Sequence, residues 1–193
     1  MTTMKSGAKV FIAGSRGLSR LNKEVRHRID TILAKGLGII VGDANGVDKA
    51  VQRYLKSRQY DDVTVFYMEG SCRNNVGDWP TRTIKAAAPS RRDFAYYSTK
   101  DRAMAEEADY GLVLWDGKSR GTLRSIVDLV RREKPVIAYV APEKTFHTLR
   151  QPSDLSGILT RVDPAVLLGI DPGLRSIATT SAANTKSDNL RLF

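Results

Sequence analysis

Five short apolar runs, at 10–13, 38–41, 63–67, 110–115 and 135–140, alternate with amphipathic chain, and this alternation constrains the fold more than any other feature. Each run is too short for a helix and is rich in β-branched or aromatic side chains, as buried strands are. Between them, Val25, Ile29, Ile32 and Leu33 repeat at helical spacing, as do Val51, Tyr54 and Leu55, and later Leu123, Ile126, Val127 and Val130. Strands alternating with helices predict an α/β fold with a mainly parallel five-stranded sheet and helices on both faces. Asn22 is placed to cap the first helix, and Gly36 to end it. Ser98, with Asp101 three residues on, has the form of a capping box and predicts a helix from there to about Glu107.

Three of the runs end in glycine-bearing turns: Gly14-Ser15-Arg16-Gly17, then Gly42-Asp43-Ala44-Asn45-Gly46-Val47-Asp48, then Asp116-Gly117-Lys118-Ser119-Arg120-Gly121-Thr122. In a parallel sheet all three open on the carboxyl edge, where ligands of open α/β folds bind. Glycine lets backbone approach a phosphate, helix N-termini favour anions, and Arg16 adds a planar cation. Ser119 and Thr122 add hydroxyls. Each turn also has a plainer reading: 14–17 as a tight turn, Asp48 as a partner for a helix dipole, Thr122 as an N-cap. Taken together they predict one shared anion-binding cleft.

The chain has 193 residues, a net charge of +10 and a pI near 9.9. The charge points to an anionic partner, a nucleotide or a nucleic acid, although the basic residues are spread along the chain, which also fits a role in solubility. Cys72 is the single cysteine, which excludes an intrachain disulfide and a cysteine-rich metal site. No run is long enough to span a bilayer and the N-terminus lacks a hydrophobic signal core, so a cytoplasmic location without a membrane partner is expected. No cofactor or metal is expected. Residues 1–142 are read as one domain. Residues 143–193 are read as an extension, interrupted by Pro152, Pro164 and Pro172, with a flexible Ser-, Thr-, Ala- and Asn-rich stretch at 176–189. Segment 69–97 interleaves Arg73, Arg82, Arg91 and Arg92 with Trp79, Phe94, Tyr96 and Tyr97. It reads as a base-stacking surface, as a short helix at 81–88 covering the sheet edge, or as both. His27 and His147 are read as surface residues.

The motifs GSRG, GDANGVDKAV, RNNVGDW and WDGKSRGT, within residues 8–140, resemble the SLOG superfamily of Rossmann-like nucleotide-binding domains, closest to its YpsA-related branch. The superfamily includes cytokinin-activating phosphoribohydrolases, DNA-processing protein A and sensor domains. The resemblance implies a nucleotide-like ligand and the ligand-binding set Gly14, Ser15, Arg16, Gly17, Gly42, Asp43, Gly46, Val47, Asp48, Trp115, Asp116, Gly117, Ser119, Gly121 and Thr122; members are commonly homodimers. One departure bears on catalysis. The phosphoribohydrolases carry a catalytic Glu early in the helix after Gly-Thr, where this chain has Arg124 and Ser125. The expected function is therefore binding of a nucleotide or nucleotide-derived ligand, as in a sensor module. The alternatives are an N-glycosidic hydrolase of nucleoside phosphates, with Asp43, Asp48 or Asp116 as the acid, and a single-stranded nucleic-acid binder like DNA-processing protein A.

A second, local resemblance lies at 166–174, VLLGIDPGL, which is similar to the first strand and turn of RuvC-type nucleases. There Asp171 would match a metal-binding Asp. That chemistry needs further carboxylates from downstream strands, so a complete nuclease is not expected within a chain ending at Phe193.

Overall fold

The five expected strands form, but the sheet has seven members in the order β4-β3-β2-β1-β5-β6-β7. The computed structural model describes residues 7–85, 94–160, 162, 166–167, 169–170, 174 and 177. In chain order its elements are β1 (Lys9–Gly14), α1 (Lys23–Ala34), β2 (Gly38–Gly42), α2 (Val47–Ser57), β3 (Val63–Met68), β4 (Thr81–Ile84), α3 (Phe94–Glu107), β5 (Tyr110–Trp115), α4 (Arg120–Arg131), β6 (Val136–Val140), β7 (Thr145–Leu149) and α5 (Ser156–Leu159). All neighbouring strands run parallel except β6 and β7, which are antiparallel.

The two additional strands correct the five-stranded expectation, and both are edge strands whose patterns are weak for that reason. Residues 81–84, read as the start of a helix, instead pair with β3 in the register Val65↔Thr81 to Met68↔Ile84. Thr81, Thr83 and Ile84 are β-branched and suit the pleat, but most of the strand is exposed, so no apolar run announces it. β7 folds back on β6 after a tight turn in which Lys144 takes a positive φ of 51°. Phe146 lands against Tyr139, with ring centroids 4.9 Å apart.

Strand alternation splits the core into two layers. Val10, Ile12, Ile39, Val41, Val63 and Val65 face α1 and α2 and pack on Val25, Ile29, Ile32, Val51 and Leu55. Phe11, Ile40, Phe66, Val113 and Trp115 face the other way, onto Met104 of α3 and Leu123, Ile126 and Val130 of α4. Burying both faces is why the central strands read as continuous apolar runs. The Asn22 cap forms as expected, its side chain accepting from the Val25 N–H at 2.9 Å. α3 starts at Phe94, so Ser98 is a buried position inside the helix and not its cap.

The connection from β1 leaves toward one face of the sheet and that from β5 toward the other, while β1 and β5 are neighbours. Where adjacent strands send their helices to opposite faces, a crevice opens at their carboxyl ends. Arg91, Arg92 and the Asp171-Pro172-Gly173 turn lie outside the described residues, as does 178–193. Among the described residues no helix is long and apolar enough to cross a membrane.

Candidate functional site

A cavity of about 350 Å³ fills that crevice. Its floor is Phe11, Ala13 and Met104, and its walls come from the three glycine-bearing turns together with α3 and Arg73. Three cations, Arg16, Arg73 and Lys100, and three carboxylates, Asp48, Asp101 and Asp116, line it. Of the expected residues, Gly14, Arg16, Gly17, Asp48, Asp116, Ser119, Gly121 and Thr122 meet around it. Ser15, Gly42, Asp43, Gly46, Val47, Trp115 and Gly117 stand behind it and shape it.

Their supporting roles are specific. A Cβ on Gly46, whose φ is +84°, would lie 2.4 Å from the backbone oxygen of Arg16, so glycine lets the first two turns touch. A Cβ on Gly42 would lie 2.3 Å from Asp48 Oδ2 and 2.7 Å from Lys100 Nζ, so glycine admits that buried pair of charges. Val47 is fully buried in the core. Trp115 is buried and its indole N–H donates to the Ser119 carbonyl at 3.0 Å, pinning the third turn.

A hydroxyl chain joins the first and third turns. The Asp116 N–H donates to Ser15 Oγ at 3.1 Å, Ser15 Oγ and Thr122 Oγ1 are 3.1 Å apart, and Thr122 donates to Ser119 Oγ at 3.0 Å. The Ser119 hydrogen has no acceptor among the described residues. Thr122 is thus inside the first turn of α4, and its N-cap is Ser119, which makes no side-chain capping bond. The α4 terminus faces the cavity with its dipole uncapped. Asp116 takes the Lys118 and Ser119 N–H groups at 3.0 and 2.7 Å. Burial raises its pKa, but those bonds outweigh burial and hold it below the usual carboxylate range.

The acidic wall behaves differently. Asp48 is 7% exposed, with Oδ2 accepting from the Ala44 N–H at 3.2 Å. Burial pushes its pKa up to about 6, against the attraction of Lys100 and with help from the neighbouring Asp101. Asp101 is also raised, chiefly by burial, although Lys100, Arg16 and Arg73 oppose the shift. Asp43, just behind, goes the other way. Burial would raise it, but Arg73 and Lys100 hold it at about 2.

Sequence reasoning had Arg73 in the RNNVGDW motif and Tyr97 among the interleaved aromatics, but did not place them in this cavity. Lys100, Asp101 and Ser125 it missed as cavity residues, because α3 and the second turn of α4 come to the site only through packing. Arg16 and Arg73 both stack on the Tyr97 ring, their guanidinium carbons 5.5 and 5.4 Å from its centroid. Asn74 and Asn75 hold their loop, through bonds to Asp43 O and Trp79. Trp79, read as a stacking aromatic, is buried with its indole N–H on Tyr60 O. Ser125 lines the cavity and its hydroxyl donates to Gly121 O at 3.1 Å.

No protein-family model matches the chain, and no curated protein matches it. Among solved structures, a neighbour is DNA processing protein A from Helicobacter pylori, described for its single-stranded DNA binding mode. It aligns over 88% of this chain and 81% of its own, with a TM-score of 0.53 and 15% identity. At that identity the likeness is one of fold: the chain has an α/β architecture like that of DNA processing protein A.

Proposed function

We propose that this chain binds a nucleotide or nucleotide-derived small molecule in the cavity at the β1–β5 crevice, as a ligand-binding or sensor module. The observation that carries this reading is the mixed lining. The uncapped α4 terminus, the Ser119 hydroxyl and Arg16 present donors suited to a phosphate. Asp48 and Asp101 line the same cavity and present acceptors. A volume of about 350 Å³ suits a small ligand. Calorimetry with a panel of nucleoside mono- and diphosphates, and mass spectrometry of small molecules released from the purified protein, test it. Micromolar binding that saturates at one ligand per chain supports the reading; no binding by any of them sinks it.

Single-stranded nucleic acid is the second reading, favoured by the fold of the neighbour and by the net charge of +10. Against it stand the three carboxylates lining the cavity, since a polynucleotide track needs a continuous basic groove. A polynucleotide binder loses affinity steeply with salt and gains it with strand length, whereas a mononucleotide pocket does neither. Polarisation assays with oligonucleotides of increasing length separate the two.

A further inference from the structure

We infer that Asp48 and Asp101 form the sugar subsite of this cavity and select a ribose over a 2-deoxyribose. The inference rests on the proposed phosphate-bearing ligand and specifies which part of it the acidic wall reads.

The two carboxylates come from different elements, Asp48 from the first turn of α2 and Asp101 from the middle of α3, and face one cavity. Both retain unused acceptor capacity. Asp48 commits Oδ2 to the Ala44 N–H, and Oδ1 accepts no hydrogen bond among the described residues. Asp101 accepts none from any described residue; it interacts with Lys100, Arg16 and Arg73 through their fields. Yet no fully buried polar side-chain atom among the described residues lacks a partner, so these free oxygens are open to the cavity. An acceptor pair with spare lone pairs, recessed from bulk water, calls for a ligand bearing adjacent donors.

Two parts of a nucleotide bear such donors: the vicinal hydroxyls of the ribose and the amino and ring N–H groups of the base. Placement decides between them. The phosphate end is set by Ser119 and the start of α4, and Gly121, in that first turn, lines both this cavity and a small cleft that reaches Asp101. The sugar is the group bonded directly to the phosphate, so it is the part that meets Asp101. The base then lies toward the mouth, where the exposed Arg73 stacks on Tyr97 and offers a planar surface to a ring. An acidic side chain accepting from ribose hydroxyls is also the general solution of dinucleotide-binding α/β folds. Asp43, at the end of β2, is unsuited to the task because its oxygens are occupied by Arg73 and Lys100.

The test is calorimetry on the full chain at pH 7.5 with AMP, GMP, CMP and UMP against the corresponding 2′-deoxynucleotides. The ribose form of the best-bound base is expected to bind about tenfold tighter than its deoxy form, the value of one hydrogen bond that leaves a recessed acceptor unmatched when it is lost. Asp101→Asn or Asp48→Asn is expected to cut that ratio below about threefold. Equal affinity for ribose and deoxyribose forms, or an unchanged ratio in both variants, overturns the sugar subsite and leaves the phosphate-ligand reading standing. A preference that follows the base amino groups and ignores the 2′-hydroxyl overturns it in favour of base readout. Absence of binding by all eight probes overturns the phosphate-ligand reading itself, and the sugar subsite with it.

Discussion

Arg73 and Asp43, 30 residues apart, form a two-pronged ion pair in which Nη2 donates to Oδ1 at 2.7 Å and Nε to Oδ2 at 2.8 Å. The Arg73 backbone N–H adds a third bond at 3.2 Å, and Lys100 Nζ reaches the same carboxylate at 3.1 Å. This pair anchors the β3–β4 connection to the end of β2 and holds one wall of the cavity. Asp43 and Lys100 are almost fully buried, whereas the Arg73 side chain is 39% exposed. Asp43→Ala strands the Lys100 charge and is expected to cost about 3–5 kcal/mol. Arg73→Ala leaves Lys100 on Asp43 and costs less, about 1–2 kcal/mol. Urea unfolding of the two variants checks the order, and a larger loss for Arg73→Ala contradicts it.

Asp48 gives a pH signature of the opposite sign to that of Asp43. Its folded pKa of about 6 stands above the ordinary aspartate value of 3.8, so between those values the folded state holds more protons than the unfolded one. Stability from this group is present below pH 4 and falls as pH rises toward 6, by on the order of 2–3 kcal/mol. The groups facing it, Lys100 and Asp101 on α3 and Asp43 behind, set the residual slope. Asp48→Asn is expected to stabilise the protein at pH 7.5 and to flatten the slope between pH 4 and 7. Thermal melts across that range test this, and a destabilised variant at pH 7.5 refutes it. A carboxyl retained at such a cost is expected where a ligand uses it.

Arg16 stacks on Tyr97 and makes no ion pair or hydrogen bond with any described residue. Its removal is therefore expected to leave the melting temperature unchanged while weakening a phosphate-bearing ligand at least about tenfold, as loss of a charge-assisted contact does. Unchanged affinity in calorimetry moves the phosphate away from the first turn.

Gly46→Ala is expected to destabilise by more than about 2 kcal/mol, because a Cβ there meets the Arg16 backbone and the φ of +84° disfavours any other residue. Chemical denaturation reads the effect. A neutral outcome means the first two turns separate freely.

Turnover is the remaining discriminator. From the first two turns of α4, Gly121, Thr122 and Ser125 line the cavity, and none is a carboxylate. Incubation with nucleoside monophosphates, followed by chromatography for free base, is expected to show no release. Release abolished by Asp48→Asn or Asp101→Asn makes the hydrolase reading correct.

The sequence by itself determined the five inner strands, the helices between them and the three turns on one sheet edge. Those strands are buried on both faces, so burial writes itself as apolar runs, and glycine at 14, 42 and 46 marks backbone that neighbours approach closely. Tertiary structure alone decided the edges and the part of the charged wall that α3 supplies. β4 and β7 gain their place from backbone pairing to β3 and β6, which leaves little hydrophobic trace. Lys100 and Asp101 lie on a helix whose cavity-facing side is polar, so helical periodicity could not mark them. They become partners of Asp43 and Asp48 only when α3 packs across the carboxyl ends of β1 and β2. Which charges are buried together, and hence which carboxyl is lowered and which raised, is a property of that packing and of no local stretch of chain.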